Sequence, residues 1–377
     1  MTEGTVAPGF ERVRDAFEAN FDLFGEVGAP CCVYVDGQQV VDLAGGAVTP
    51  GGAPYTRSTL QMVASATKGA LAICALRLAE RGELDLDAPV AKYWPEFAAE
   101  GKDTIPVRWL LSHRAGLPYV DTVLPMSELY RWQPIVDLLA AQRPVWEPGA
   151  RHGYHALTYG WLVGEVLRRV TGLMPGELIR REVADPLGID FWVGLPQEET
   201  ARVAPLIVAT AAPAGKPDPF TLMLFDQDSA AHKAFFVGNG LLGSMNDPDI
   251  WAAQLPAANG MATARSLARM YAACLWEVDG VRLLAPETLA AATKEESGGH
   301  DKVLQVESRF GLGFQLSYPL RPFAGDGSFG HYGLGGSVGF GHVGAGISFG
   351  YVVNQMLPGG MVDPRSAALV EAVFAAV

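Results

Sequence analysis

The sequence predicts an α+β fold, in which an antiparallel β-sheet is flanked by N- and C-terminal helices and a large all-α domain is inserted between its two halves. Strand-like segments split by glycine turns lie near both ends of the chain, and helical periodicity dominates between them. A chain of 377 residues is also too long for one small core. We therefore expect two structural units.

The expected domain boundaries lie where strand signals give way to helix signals. Residues 1–64 form the first part of the α/β domain and residues 262–377 form its second part. Residues 65–261 form the inserted helical domain, and its first helix carries the candidate nucleophile.

The first element is an amphipathic helix over residues 9–24, with Phe10, Val13, Phe17 and Phe21 at helical spacing. Two strands follow in the segment APCCVYVDGQQVVDLAGG, where Asp-Gly is a hairpin signal.

The central helices are marked by apolar faces and by end signals. One begins near Ser65 and is expected to end at Gly82, and a second, containing Tyr159, ends at Gly172. A third follows Thr263, a predicted N-cap.

The last elements mirror the first ones. FGLGFQLSY, GSVGFGHV and ISFGYVVNQM are predicted to be successive strands, and RSAALVEAVFAAV a closing helix. The preceding segment KEESGGHDK (294–302) is predicted to be a solvated loop, with a mobile flap over the site as the alternative.

The composition narrows the function classes. A net charge of −13 argues against nucleic-acid binding, which needs a basic face, and disfavours anionic membranes. No run of about 20 apolar residues is present to span a membrane. The N-terminal stretch MTEGTVAPGFERVRDAFEAN does not resemble a signal peptide, so we expect a cytoplasmic protein.

No metal or cofactor is expected. The cysteines lie in apolar surroundings without CxxC or CxxH spacing, which predicts buried free thiols and no zinc site. His152 and His155 lack an HExxH pattern or a nearby acidic ligand. His113 is expected to fix its own loop by hydrogen bonds.

The segment SATK, residues 65–68, is the strongest candidate for chemistry. Ser65 either caps a helix or acts as a nucleophile. On a helix, Ser65 and Lys68 lie one turn apart on the same face. Apolar neighbours predict burial, which lowers the pKa of a lysine towards neutrality, so a neutral amine can take the serine proton.

Two further segments supply what such a nucleophile needs. Tyr154 precedes a helix and is either an amphipathic core residue or a proton carrier. In the second case a nearby lysine ammonium would lower the pKa of its phenol and let it shuttle a proton. The glycine-rich segment at residues 329–351 allows close backbone approach to a ligand, and a strand edge there offers an N–H to an oxyanion.

These motifs together resemble a known superfamily. SATK, YHA (154–156) and HYG (331–333) are similar in order and spacing to the S-x-x-K, Y-x-N and K-T-G motifs of class C β-lactamases, penicillin-binding proteins and related serine esterases. LLSHRAGLP (110–118) resembles the LLSHTSGL stretch common in that superfamily. The resemblance implies a β-lactamase/transpeptidase-like fold.

The resemblance also implies roles for individual residues. Ser65 would form the acyl-enzyme, Lys68 would activate it, and Tyr154 would transfer its proton. The backbone N–H groups of Ser65 and Leu334 would form the oxyanion hole. The implied substrate-binding positions are Ala156, His331, Tyr332 and Gly333.

The departures from the motifs bear on the substrate. Ala156 stands where the lactamases have asparagine, His331 replaces the lysine of K-T-G, and Tyr332 is larger than threonine. Histidine is mostly neutral at pH 7, so it suits a substrate carboxylate less well than lysine does. These changes resemble the esterase branch and predict short-chain esters as substrates, with weak or no β-lactamase activity.

Other functions stay open. An acyltransferase or amidase of a biosynthetic pathway would use the same Ser65, Lys68 and Tyr154, and a catalytically inactive binding protein would keep the fold. The expected partner is a small-molecule ester or amide, and the sequence does not fix the oligomeric state. The tryptophans of the central insertion, together with Phe235 and Phe236, either line an acyl pocket or belong to an ordinary core.

Overall fold

A nine-stranded sheet takes its strands from both ends of the chain. The structure is a computed structural model that describes residues 2–122, 124–208, 219–236, 245–357 and 363–377. The strands are β1 Thr2–Val6, β2 Gly28–Val35, β3 Gln38–Gly46, β4 Gln61–Met62, β5 Phe191–Trp192, β6 Ile207–Val208, β7 Met261–Ala262, β8 Ser297–His300, β9 Glu307–Phe310, β10 Gln315–Leu316, β11 Ser328–Tyr332, β12 Val338–His342, β13 Ile347–Tyr351 and β14 Gln355–Met356.

The order across the large sheet is β1-β3-β2-β13-β12-β11-β10-β9-β8, and neighbouring strands pair antiparallel. The antiparallel sheet built from both ends of the chain is therefore confirmed. Two small sheets lie outside it: the order β4-β7-β5, and a parallel pair of β14 with β6.

Helices fill most of the described chain between β4 and β7. The α-helices are α1 Glu11–Phe24, α2 Thr67–Glu80, α3 Val107–Leu111, α4 Met126–Leu129, α5 Trp132–Ala141, α6 Thr158–Thr171, α7 Pro175–Ile179, α8 Asp185–Leu187, α9 Pro219–Phe225, α10 Ala230–Phe235, α11 Pro248–Ala252, α12 Ala264–Leu275, α13 Pro286–Ala292 and α14 Pro364–Phe374. Short 3₁₀ helices cover Ala64–Ala66, Val90–Lys92, Pro95–Gly101 and Gln197–Arg202, and a π-helical turn covers Arg180–Ala184. The two-residue strands β5 and β6 also lie in this segment, so it is not purely helical.

The structure contains the predicted hairpin turn, the predicted end of α6 and the predicted cap of α12. Asp36 and Gly37 both have positive φ, 47° and 78°, which is the conformation a two-residue hairpin between β2 and β3 requires. Gly172 ends α6 in the left-handed conformation, and the Thr263 side chain caps α12 by accepting a hydrogen bond from Ser266 N.

The predictions near the C-terminal end were partly wrong. Of FGLGFQLSY, only Phe310 at the end of β9 and the two residues of β10 are in strands. Gly311 and Gly313 interrupt the pairing because they pack closely on other elements: a Cβ would lie 2.1 Å from Ala292 O at the first and 2.4 Å from Ala72 Cβ at the second. The segment ISFGYVVNQM forms two strands rather than one. β13 belongs to the large sheet, whereas β14 lies outside it and pairs with β6.

The predicted loop at residues 294–302 is also wrong in part, since β8 forms the edge of the large sheet there. Two glycines and a histidine carry no strand signal, and pairing with β9 overrides their low propensity.

Helices cover both faces of the sheet. α12 packs on β2, β12 and β13. α1 packs against α14, where Phe17 and Leu369 share a core with Val33 and Phe349 of the sheet. On the α12 side, α2 packs against α6 and also contacts β11, which brings the start of α2 next to the end of that strand.

Other sequence expectations concern the whole chain. The four cysteines are buried and free, as predicted. Across the described ranges, no helix combines the length and the apolar character needed to cross a membrane. The domain boundaries at residues 64 and 261 stay a prediction.

Candidate active site

Ser65 lies in the 3₁₀ turn directly before α2. The residue before it in this turn has an unusual backbone conformation. Ala64 has a positive φ of 46°, which costs an alanine free energy and persists only where the surroundings fix it. Thr67 Oγ1 fixes it by donating to Ala64 O at 2.6 Å and accepting from Gly260 N at 2.9 Å. The Ser65 side chain caps neither this turn nor α2, so its hydroxyl is left for other contacts.

The Lys68 side chain is fully buried and points at Ser65. Its Nζ lies 3.2 Å from Ser65 Oγ and donates to the backbone oxygens of Ala156, at 2.7 Å, and Ala257, at 3.0 Å. Burial lowers the pKa of Lys68 well below its usual value of 10.5. The two carbonyl groups can satisfy both N–H bonds of a neutral amine, which leaves its lone pair for the Ser65 hydroxyl.

Tyr154 brings a buried phenol to the same place. Its hydroxyl lies 3.4 Å from His331 Nε2, and Lys68 Nζ lies 4.8 Å from the centre of its ring. Burial raises the pKa of Tyr154, and a hydrogen bond with Ser65 only partly opposes this. The prediction of a lowered phenol pKa is therefore wrong, because desolvation of the buried phenol is the larger effect. The phenol is protonated at neutral pH.

Asp301 anchors the backbone of Tyr154. Both of its carboxylate oxygens accept from Tyr154 N, at 3.0 and 3.1 Å. The same fully buried carboxylate accepts from Val303 N, Leu304 N and Ser308 Oγ. Sequence reasoning missed Asp301, which lies in the predicted solvated loop. An aspartate commonly forms a turn by accepting hydrogen bonds from the N–H groups two and three residues ahead. This local pattern could be predicted from the sequence, but the distant contact with Tyr154 could not.

Aromatic rings fix the orientation of the Tyr154 ring. Phe310 stacks on it at 5.9 Å between centroids, and the His113 ring lies 5.0 Å away. His113 Nδ1 accepts from His155 N at 3.1 Å, which agrees with its expected structural role.

His331, in β11, also contacts the phenol of Tyr154. Its Nδ1 lies 2.7 Å from Tyr332 O, so this nitrogen carries the proton and Nε2 can accept from the Tyr154 hydroxyl. Burial lowers the pKa of His331 well below 6.5, so the ring is neutral. It offers no cation to a substrate.

The other residues of the third motif differ in what they contribute. The Tyr332 ring stacks on Phe323 at 4.4 Å, and its hydroxyl accepts from Phe323 N, so this side chain is held by the core. Gly333 abuts the nucleophile turn, where a Cβ would lie 2.2 Å from Val63 O. Leu334 follows, and within the described ranges no group accepts a hydrogen bond from its backbone N–H.

Two cavities meet at Ser65 and Leu334. The first has a volume of about 570 Å³ and is mainly apolar; its walls include Phe235, Phe236 and Met245. For Phe235 and Phe236 the structure therefore favours the pocket lining, whereas no tryptophan is among the described residues that border this cavity. Ala156 borders this cavity as well.

The second cavity has a volume of about 410 Å³ and lies on the Tyr154 side of Ser65. Tyr154, His331 and Arg321 border it, and none of these three borders the first cavity. The structure thus brings Ser65, Lys68, Tyr154 and His331 together, between one apolar and one more polar space.

The described residues include no cluster of three or more His, Cys, Asp or Glu side chains that could hold a metal ion. The site is instead built from a serine, a buried amine and a phenol. A family model described as Beta-lactamase matches residues 17–374. The chain belongs to the beta-lactamase family.

Several proteins similar to this beta-lactamase family member are esterases by name. The esterase/beta-lactamase LipL of Mycobacterium tuberculosis is 36% identical over 361 residues, which cover 94% of this chain and 83% of LipL. A solved family VIII carboxylesterase is 37% identical with a TM-score of 0.91, and the match covers 100% of both chains. EstA from Arthrobacter nitroguajacolicus Rue61a is 34% identical with a TM-score of 0.88, and the match covers 99% of both chains.

The resemblance predicted from the motifs is therefore confirmed, and so is the fold class. The chain is a serine hydrolase of the beta-lactamase family, similar to the family's serine esterase branch.

Proposed function

We propose that this protein hydrolyses short-chain carboxylic esters through an acyl-enzyme formed on Ser65, with weak or no β-lactamase activity. The observation that carries the proposal is the position of Lys68 Nζ, fully buried, bound to two backbone carbonyl groups and 3.2 Å from Ser65 Oγ. A neutral amine in that position takes the hydroxyl proton as the serine oxygen attacks the ester carbonyl carbon.

Tyr154 manages the proton on the other side of the nucleophile. As a protonated phenol beside Ser65 it gives its proton to the leaving alcohol, and it is recharged from the Lys68 ammonium. The neutral His331 Nε2, at 3.4 Å, holds the phenol hydroxyl in place.

The tetrahedral intermediate needs donors for its oxygen. The backbone N–H groups of Ser65 and Leu334 fill this role, because both residues border the point where the cavities meet. Gly333 allows the strand end to approach the nucleophile turn closely enough. After the alcohol leaves, water attacks the acyl-enzyme with the same groups in reverse order.

The cavities support an ester substrate. The apolar first cavity suits an acyl chain. With His331 neutral, position 331 itself supplies no cation to a substrate. The names of LipL and the family VIII carboxylesterase agree with an esterase.

The proposal is tested with p-nitrophenyl esters from acetate to octanoate, a chromogenic cephalosporin and a fluorophosphonate probe. We expect ester turnover, little cephalosporin turnover and a probe adduct on Ser65, all lost in Ser65→Ala. Adding a primary alcohol tests the acyltransferase alternative, because acyl transfer would give a new ester in place of the free acid. Cephalosporin turnover faster than ester turnover, or labelling that survives in Ser65→Ala, would overturn the proposal.

A further inference from the structure

The second cavity contains a cation that the proposed proton chemistry does not use. Arg321 borders this cavity together with Ser65, Tyr154 and His331, and no Asp or Glu is among its described lining residues. The side chain is partly buried, and its Nε is buried without a hydrogen-bond partner in the part of the chain that the structure describes. A buried N–H without an acceptor is unfavourable unless a ligand supplies one.

The position of Arg321 is fixed by its surroundings. Its backbone N–H donates to Tyr318 O at 2.8 Å and closes the turn between β10 and β11. Its guanidinium carbon lies 4.6 Å from the centre of the Tyr332 ring. This packing gives the large Tyr332 side chain a use: it supports the cation.

The charge acts on the reacting groups. Burial is the main influence on the pKa values of Tyr154 and His331, raising the first and lowering the second, and the Arg321 charge adds a smaller downward effect to both. Arg321 is therefore within electrostatic reach of the phenol that serves the leaving group.

We propose that Arg321 forms an anion subsite for the alcohol part of the substrate, so that preferred esters carry a carboxylate on the leaving alcohol. The inference rests on the proposed function, in which Tyr154 protonates the leaving oxygen and the second cavity therefore receives the alcohol. A guanidinium binds a planar carboxylate through two parallel N–H donors, and Arg321 lines the cavity with no carboxylate among its described neighbours there. Ser65 and Arg321 border the same cavity, so the alcohol part of an ester bound at Ser65 lies on the Arg321 side.

The test compares 3-carboxyphenyl butyrate with its neutral amide counterpart, 3-carbamoylphenyl butyrate. We expect the wild-type kcat/KM to be higher for the carboxylate ester. In Arg321→Gln the ratio of the two kcat/KM values should fall about 10- to 100-fold, the range for losing hydrogen bonds to a charged group. Arg143→Gln removes an exposed arginine outside both cavities and should leave the ratio as it is.

A binding measurement separates this inference from the esterase proposal. Ser65→Ala should bind 3-hydroxybenzoate more tightly than 3-hydroxybenzamide in calorimetry, and Ser65→Ala/Arg321→Gln should lose that preference. Equal binding of the two compounds to Ser65→Ala, or a preference that survives without Arg321, would overturn the anion subsite. Failure of the wild type to cleave either ester would instead count against the proposed function, and the binding result would still decide the role of Arg321.

Discussion

The backbone N–H of Tyr154 donates to both carboxylate oxygens of Asp301, a residue 147 positions further along the chain. The link ties the Tyr154 backbone to the edge of the large sheet next to β8. Asp301 touches no reacting group, so we assign it as a positioning residue.

We expect Asp301→Ala to lower kcat about 10- to 100-fold, because buried N–H groups lose a charged acceptor and Tyr154 shifts. Asp301→Asn keeps an oxygen for the three backbone N–H groups and an NH₂ that can donate to Ser308 Oγ, so it should recover most of the kcat. Steady-state kinetics well below the unfolding temperature checks both. An alanine variant with wild-type kcat would show that the anchor is dispensable.

We expect Lys68 to set the pH dependence of ester hydrolysis. The attacking form needs a neutral amine, so kcat/KM should fall tenfold per pH unit below the lowered pKa of Lys68. Lys68→Met should lose about 10²- to 10⁴-fold in kcat, the range for acid–base catalysis. Measurement of kcat/KM from pH 4 to 10 for both proteins tests the assignment, and substantial turnover by the methionine variant would refute Lys68 as the base.

Lys68 also makes the free energy of unfolding depend on pH. The unfolded chain holds this proton up to about pH 10.5, while the folded protein releases it at a lower pH. Between these two pKa values the unfolded state binds more protons, so the unfolding free energy rises with pH, by at most about 1.4 kcal/mol per unit. Relative to Lys68→Met, the wild type should therefore gain stability towards pH 10. Denaturant titrations at pH 7, 8, 9 and 10 measure the difference; parallel pH profiles would contradict it.

Tyr154→Phe should lower kcat by at least about 10²-fold, because the leaving alcohol loses its proton donor. Tyr159→Phe is a matched control, since that hydroxyl is buried without a hydrogen-bond partner among the described residues and lies outside both cavities. The control should keep kcat within about threefold and leave stability equal or slightly higher, because an unsatisfied polar group is removed. Similar losses in the two variants would make Tyr154 a structural residue.

A buried ion pair ties α14 to the rest of the fold. Arg365, itself fully buried, contacts Glu26 at 2.9 Å and Asp363 at 2.6 Å, and donates to Gly335 O. Arg365→Met should cost about 3–5 kcal/mol, because it removes the positive charge that faces two buried carboxyl groups. Arg143→Ala, which breaks an exposed pair with Glu100, should cost less than about 1 kcal/mol. Denaturant unfolding compares the two, and equal losses would contradict the difference in burial.

Local signals were enough for parts of the fold. The Asp36–Gly37 turn, the Thr263 cap and the one-turn spacing of Ser65 and Lys68 depend on neighbouring residues, so the sequence predicted them. The burial of Lys68 followed from its apolar neighbours.

Long-range contacts account for what was missed. The carbonyl groups that hold Lys68 lie 88 and 189 positions away, and backbone oxygens leave no trace in residue type. The pKa of Tyr154 was mispredicted because desolvation of a fully buried phenol outweighs the effect of neighbouring groups. β8 was missed because an edge strand of glycines depends on its neighbour in the sheet.

The apolar cavity is walled by α9, α10 and α11, through side chains such as Leu224, Phe235 and Ile250. Ser65, Lys68, Tyr154 and His331 lie on other segments. Substitutions in these helices can therefore change which acyl groups the cavity accepts without altering those four residues. A directed-evolution library confined to those three helices should change chain-length preference far more readily than it abolishes turnover.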